Sequence, residues 1–158
     1  MYRIGFGYDV HPLVKDRKLT LGGIQIEHTV GTMGHSDADV LLHAICDAML
    51  GALALGDIGQ HFPDHSVKYK DIDSKVLLAE SFKLIHDRGW RIANLDTTLC
   101  LEKPKVMPYI PEMQNIISSI LKIESQQVSV KATTNEKMGF VGREEGVAAY
   151  AVVLLERV

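Results

Sequence analysis

The chain has 158 residues, 46% hydrophobic and 23% charged, with Lys+Arg 17 against Asp+Glu 20 and a formal net charge of −3. A chain of this length makes about one domain and buries roughly 68–70% of its unfolded surface, so these proportions exclude disorder. A mildly acidic chain without a Lys/Arg run lacks the footprint of a nucleic-acid binder, and its longest apolar run, Val147 to Leu155, is half a membrane span.

Residues 2–7 (YRIGFG) predict a strand. Over 18–27, Leu19, Leu21, Ile24 and Ile26 alternate around Gly22-Gly23, a hairpin signal. Across 37–55, Val40, Leu41, Ala44, Ile45, Ala48, Met49 and Ala52 recur with the helical period, and Ser36 is the expected N-cap. A second helix is expected over 74–88, striped by Leu78, Phe82 and Ile85 and stopped by Gly89. Residues 90–103 read as a strand, Pro108 and Pro111 open a third helix, and 127–134 alternate as a strand. Residues 146–156 form a long apolar strand. The order β-β-α-α-β-α-β-β fits an α+β fold in a single domain over 1–158, one mixed sheet with helices on one face. The last strand is apolar at consecutive positions, so another subunit is expected on its second face. No signal or transit peptide is visible. Cys46 and Cys100 sit in apolar stretches without CxxC pairing, which fits a reducing cytoplasm.

His11, His35, His43, His61 and His65, with His28, crowd the first 65 residues of a chain with seven histidines. Asp9-Val10-His11 follows the first strand, and in extended backbone residues i and i+2 point to the same side. With one further nitrogen they would make a three-ligand zinc site with a vacant fourth position; His43, midway along the first helix, is the candidate. Read singly, Asp9 is a turn cap and His43 a core histidine. Asp39, one turn before His43, is either the acceptor for its other ring nitrogen or an early-helix acid. His35 and Ser36 stand at the helix mouth, where backbone N–H groups attract anions; His35 is a phosphate donor there or an ordinary loop residue.

Asp57-Ile58-Gly59 and Phe62-Pro63-Asp64-His65-Ser66 form a polar, turn-rich connection. The run Lys131 to Lys137 (KATTNEK) sets Thr133, Thr134 and Glu136 at a strand end. Taken alone this is an ordinary polar strand end, though hydroxyls followed by an acid there could hold a phosphate with a hard divalent cation. Gly139-Phe140-Val141-Gly142-Arg143 delivers one arginine whose fork suits phosphate. Leu101 to Met107 closes a strand with a stiff proline loop, able to read a base edge or simply to connect strand to helix.

In order, GYDVH at 7–11, GHSDAD at 34–39, LGDIGQHFPD at 55–64, PKVMPYIPEM at 104–113 and KATTNEKMGFVGREEG at 131–146 resemble the 2-C-methyl-D-erythritol 2,4-cyclodiphosphate synthase family over the whole chain. The resemblance implies a nucleotide diphosphate substrate, 4-diphosphocytidyl-2-C-methyl-D-erythritol 2-phosphate. Its 2-phosphate would attack the β-phosphorus, closing a cyclic diphosphate and releasing CMP in the non-mevalonate isoprenoid pathway. It implies Zn2+ on Asp9, His11 and His43, and Mg2+ or Mn2+ between the diphosphate and Glu136. His35 and Thr134 become the catalytic groups that steady the transition state. Ser36, Asp57, Ile58, Gly59, Phe62, Pro63, Asp64, His65 and Ser66 fall on the methylerythritol phosphate side. Leu101, Glu102, Lys103, Pro104, Lys105, Val106, Met107, Ala132, Thr133 and Asn135 fall on the cytidine and diphosphate side, and Phe140 and Arg143 complete the substrate-binding set. The resemblance also implies a cytoplasmic homotrimer, its sheets facing a threefold axis and each site shared by neighbours. Arg143 would point to that axis, where three copies could hold an isoprenoid diphosphate. Tyr8 and Asn135 depart from the Phe and Thr common in the family, and Leu101-Glu102-Lys103 is bulkier than its usual cytidine loop. Two other readings of the metal residues stand beside this one: a structural zinc staple, and a phosphoesterase that attacks with metal-bound water.

Overall fold

The computed structural model describes residues 1–63 and 65–158. Its elements are β1 (Tyr2–Lys15), β2 (Leu19–Leu21), β3 (Ile24–Ile26), β4 (Val30–Thr32), α1 (Val40–Ala52), α2 (Ile58–His61), α3 (Ser74–His86), β5 (Trp90–Cys100), α4 (Ile110–Leu121), β6 (Val128–Thr133), α5 (Gly139–Gly142) and β7 (Gly146–Arg157). Five strands form one mixed sheet in the order β4-β1-β7-β5-β6, antiparallel except for the β5–β6 pair, and β2 and β3 form a separate hairpin. That hairpin turns on Gly22 and Gly23 at φ 62° and 82°, the left-handed region that side chains disfavour. The expected order omitted β4, α2 and α5, and β1 runs past the expected residue 7 to Lys15.

Two glycines decide where α1 lies. A Cβ on Gly5 would stand 1.8 Å from the Ala48 carbonyl oxygen, and one on Gly7 would stand 1.9 Å from that of Ala44. With no side chain in between, the helix rests directly on the strand, and Leu41, Leu42, Ala44, Ile45, Ala48 and Met49 are fully buried. Strand periodicity puts Gly5, Gly7, Asp9 and His11 on that same side of β1. The helix seated on the glycines therefore carries His43, the residue before Ala44, over Asp9 and His11.

Ile4, Phe6, Tyr8 and Val10 point to the other face and stay exposed, 71% for Ile4 and 62% for Phe6. Tyr150 and Val152 of β7 lie opposite Tyr8 and Phe6 and are exposed with them. Val147, Ala149, Ala151, Val153 and Leu155 are the buried, core-side half of β7. The outward face turns polar toward β5 and β6, where Asp96 lies opposite Val152 and Lys131 opposite Thr98.

The cap of α1 is Asp39, not Ser36. Its carboxylate accepts from the Leu42 N–H at 3.1 Å and from the Gly22 and Gly23 N–H groups at 3.0 and 2.7 Å, tying the hairpin to the helix start. Ser36 stands three residues too early, and its hydroxyl accepts from Ala38 N. A 3-10 turn over Met107–Tyr109 absorbs Pro108, so α4 begins at Ile110. Gly89 follows α3 at φ 77°, as expected of a helix stop.

Candidate active site

Three side chains converge where α1 crosses β1. Asp9 Oδ2 lies 2.9 Å from His11 Nε2 and 3.0 Å from His43 Nδ1, and the two ring nitrogens are 3.3 Å apart. His11 Nδ1 donates to the Met33 carbonyl at 3.0 Å. A carbonyl only accepts, so neutral His11 keeps its hydrogen there and turns the lone pair of Nε2 toward Asp9. Burial pushes the Asp9 carboxyl up, yet the His11 and His43 imidazoles beside it outweigh burial and bring it down to about 2. Burial pulls His11 down, and the bond to Asp9 with its charge reverses this and raises it. A divalent cation fits the point of convergence: two imidazole nitrogens and a carboxylate oxygen, all within 4.8 Å of one another, are a borderline donor set with one side left open.

The open side faces a cleft of about 240 Å³. Of the residues expected on the methylerythritol phosphate side, Ser36, Ile58, Gly59 and Phe62 line it, as does His35, expected as a catalytic group; Gly34, Tyr69, Ile72 and Leu77 line it without having been expected there. His35 Nε2 donates to the Ser66 carbonyl at 3.2 Å, and the Asp71 N–H donates to the His35 carbonyl at 2.8 Å, fastening the segment after α2 beside the cleft. Asp57 caps α2 through the Gln60 N–H at 2.9 Å. Pro63 is half-buried and His65 exposed, while Asp64 lies outside the described residues. Asp39, occupied as a cap, is not the partner of His43. The second nitrogen of that ring, Nε2, meets Ser74 Oγ at 2.8 Å and Ser36 Oγ at 3.2 Å.

A second cleft of about 260 Å³ is lined by Leu101, Glu102, Pro104, Lys105, Met107, Ala132, Thr133 and Thr134. Val106 is buried in the core instead, and Lys103 pairs with Glu144 at 3.1 Å. Glu102 Oε1 accepts from the backbone N–H groups of Asn135 at 2.8 Å and Lys137 at 3.3 Å, joining the two loops. Glu136 and Lys137 take left-handed backbone, φ 52° and 61°, and Thr134 and Glu136 are exposed. Phe140 and Arg143 line neither cleft; both arms of the Arg143 fork bind Glu145, at 2.9 and 3.1 Å. The sheet register relates the two clefts. Val10 lies opposite Ala148, Ala148 opposite Cys100, and Cys100 opposite Thr133. The Asp9–His11–His43 cluster and Thr133-Thr134 thus sit at one end of the sheet, three strand spacings or about 14 Å apart.

One signal could have found the close approach that builds this cluster. Alternate glycines inside YRIGFGYDVH mark a strand face on which another backbone must lie. No local signal marked Ser74 or the Met33 carbonyl.

The family model described as YgbB family matches residues 2–156. A 2-C-methyl-D-erythritol 2,4-cyclodiphosphate synthase from Prosthecochloris aestuarii is 61% identical over 154 residues, covering 98% of each chain. An IspF from Plasmodium falciparum, solved as a CDP complex, matches with a TM-score of 0.86 and 34% identity, over 99% of this chain and 96% of that one. The bifunctional IspDF from Campylobacter jejuni matches all of this chain with a TM-score of 0.96 and 39% identity, and this chain spans 43% of that longer one. The chain belongs to the YgbB family, that of the 2-C-methyl-D-erythritol 2,4-cyclodiphosphate synthases.

Proposed function

We propose that this chain converts 4-diphosphocytidyl-2-C-methyl-D-erythritol 2-phosphate to 2-C-methyl-D-erythritol 2,4-cyclodiphosphate and CMP. The observation that carries the proposal is the Asp9–His11–His43 cluster opening into the cleft beside His35, in a chain of this family. An oxygen of the 2-phosphate bonds to the β-phosphorus, and the bond from that phosphorus to the bridging oxygen breaks, so CMP leaves with that oxygen. Nucleophile and electrophile belong to one molecule. The chain therefore has to bend the substrate into line and neutralise charge, and it needs no side-chain nucleophile.

Asp9, His11 and His43 would hold Zn2+, and Glu136 with the diphosphate would hold Mg2+ or Mn2+; bound there, such ions supply charge neutralisation on phosphoryl oxygens. His35 and Thr134 donate to the phosphoryl oxygens where charge develops. Ser36, Ile58, Gly59 and Phe62 enclose the methylerythritol phosphate. The loops at 101–107 and 132–135 take the cytidine diphosphate, the portion that the Plasmodium falciparum structure holds as CDP.

A homotrimer completes this reading. The apolar stripe of Ile4, Phe6, Tyr8, Tyr150 and Val152 is the surface a partner would cover. Within one chain the two clefts stand three strands apart; around a threefold axis, the Thr134 cleft of one chain meets the His43 cleft of the next. Three Arg143–Glu145 pairs would then ring the axis, where an isoprenoid diphosphate is the anion they would take. Among the described residues no helix is long and apolar enough to cross a membrane. The cytoplasm is the compartment proposed, and 1–158 the single domain.

Phosphorus NMR of a reaction mixture tests the proposal. The expected products are CMP and a cyclic diphosphate, both phosphorus atoms of which belong to one ring. Inorganic phosphate or an open-chain diphosphate would make the chain a phosphoesterase instead.

A further inference from the structure

We infer that Ser74 and Asp37 are positioning residues for His43, fixing which of its ring nitrogens faces the metal. This rests on the metal reading of Asp9, His11 and His43. Ser74 Oγ lies 2.8 Å from His43 Nε2 and makes a short hydrogen bond to Asp37 Oδ1. The Asp37 carboxylate has no hydrogen to give, so Ser74 directs its single O–H at it. The Ser74 oxygen then offers His43 only lone pairs. The hydrogen between them therefore sits on His43 Nε2. Ser36 Oγ stands 3.2 Å from the same nitrogen as a second oxygen. A neutral imidazole carries one hydrogen, so Nδ1 is left bare, 3.0 Å from Asp9 Oδ2 and on the side where the ligand atoms converge. His11 reaches the same result from its other nitrogen, through the Met33 carbonyl.

The relay is anchored at both ends. Asp37 Oδ2 accepts from the Ser74 N–H at 3.0 Å, and Oδ1 accepts from the Asp39 N–H at 3.2 Å. One carboxylate thereby ties the first residue of α3 to the cap of α1. Ser74 is fully buried and His43 is 8% exposed, so bulk water does not compete for these bonds. Metal-bound histidines commonly pass their second N–H to a carboxylate or a carbonyl. Here a serine hydroxyl stands between ring and carboxylate, on an element 31 residues away in sequence.

The first test uses wild-type protein loaded with zinc and labelled with 15N in its histidines. NMR is expected to find the His43 hydrogen on Nε2; a bare Nε2 overturns the inference. The second test compares Ser74→Ala, Asp37→Asn and Ser74→Thr by chelator competition and by the absorption spectrum of the cobalt-loaded protein. Zinc affinity is expected to fall roughly 10–100-fold in the first two, with a changed cobalt spectrum, and to return toward wild type in Ser74→Thr, which keeps the hydroxyl. A purely structural role would lower the melting temperature and leave the affinity and the spectrum in place. Ser74→Ala binding zinc within about two-fold of wild type overturns the inference. Wild-type protein that takes up no zinc overturns the metal reading beneath it.

Discussion

The Asp9–His11–His43 cluster and the segment 131–137 occupy the same end of one sheet, yet the chain holds them differently. Around that cluster the ring nitrogens are bound by groups of this chain: Met33 for His11, and Ser36 and Ser74 for His43. Across the sheet, Thr134 and Glu136 are exposed, Glu136 on left-handed backbone, and their loop is tied to its neighbour by Glu102, which accepts from two N–H groups, and by the Leu101 N–H, which donates to the Thr133 carbonyl. Buried and fully hydrogen-bonded groups keep their geometry without substrate. Exposed ones take theirs from what docks on them. One half of the proposed site is thus finished by folding, and the other would be finished by the proposed assembly and substrate.

The most drastic way to break this comparison is to disable each half in turn. His43→Ala is expected to abolish zinc binding and turnover while the chain stays folded. Thr134→Ala is expected to keep zinc and lose roughly 10²–10³ in rate, as for a lost transition-state donor. Inactive chains of the two kinds, dissociated and reassembled together, should regain activity, because some interfaces then pair two intact halves. Verified mixed trimers that stay inactive, or a monomeric mass in solution, would end the shared site.

Glu136→Gln separates the halves by metal. The change keeps shape and removes the charge that a hard cation requires. Zinc content is expected to hold while activity drops sharply, with partial rescue by excess manganese. Zinc loss in this variant would move Glu136 to the metal half.

The contrast also explains what was legible in the sequence. Asp9 and His11 were readable because a strand repeats every two residues, and the buried side of α1 because a helix repeats every 3.6. The cap of α1 was not. His35-Ser36-Asp37-Ala38-Asp39 offers three good capping residues, and the choice was made by the hairpin N–H groups of Gly22 and Gly23, which need a carboxylate beside them. The partner of His43 was hidden for the same reason. Ser74 reads as an ordinary helix start, and only the packing of α3 on α1 turns its hydroxyl into a histidine contact. Likewise the sequence shows an Arg143 fork suited to phosphate, and the fold adds that Glu145 binds this fork. Local periodicity was visible; contacts made across elements were not.

Glycine substitutions probe the same contrast at smaller cost. A Cβ on Gly7 would meet the Ala44 carbonyl oxygen at 1.9 Å and the Ala48 N at 2.8 Å, all of it backbone, so Gly7→Ala must push α1 off β1. Overpacking of this kind costs about 1–3 kcal/mol or more. Because His43 adjoins Ala44, zinc affinity should fall along with the urea midpoint. In the other half, nothing lies within 4 Å of a Cβ on Gly139, whose φ is 68°. Gly139→Ala should cost only about 1–2 kcal/mol for the left-handed backbone and leave zinc affinity unchanged. Equal losses of zinc affinity in both variants would mean that the metal half is not held by the Gly7 contact.

The smallest effect belongs to the outward polar face, where Lys131 Nζ lies 2.6 Å from Asp96 Oδ2. The hydrogen bond from Lys131 holds the Asp96 carboxyl below its usual value, against a smaller upward push from burial. The side chains are 55% and 47% exposed, so water and salt screen the pair, and it is worth about 1 kcal/mol at most. A carboxyl with a lowered folded-state pKa stabilises the fold above its unfolded value of about 3.9, and this stabilisation is lost as pH falls through the folded value. Lys131→Ala should therefore lower the urea midpoint slightly at neutral pH and by progressively less in acid, with added salt shrinking the difference. A deficit that grew in acid would reverse the sign and show that Lys131 acts through something other than Asp96. A large deficit at neutral pH would mean that this half of the sheet is as firmly built as the metal half.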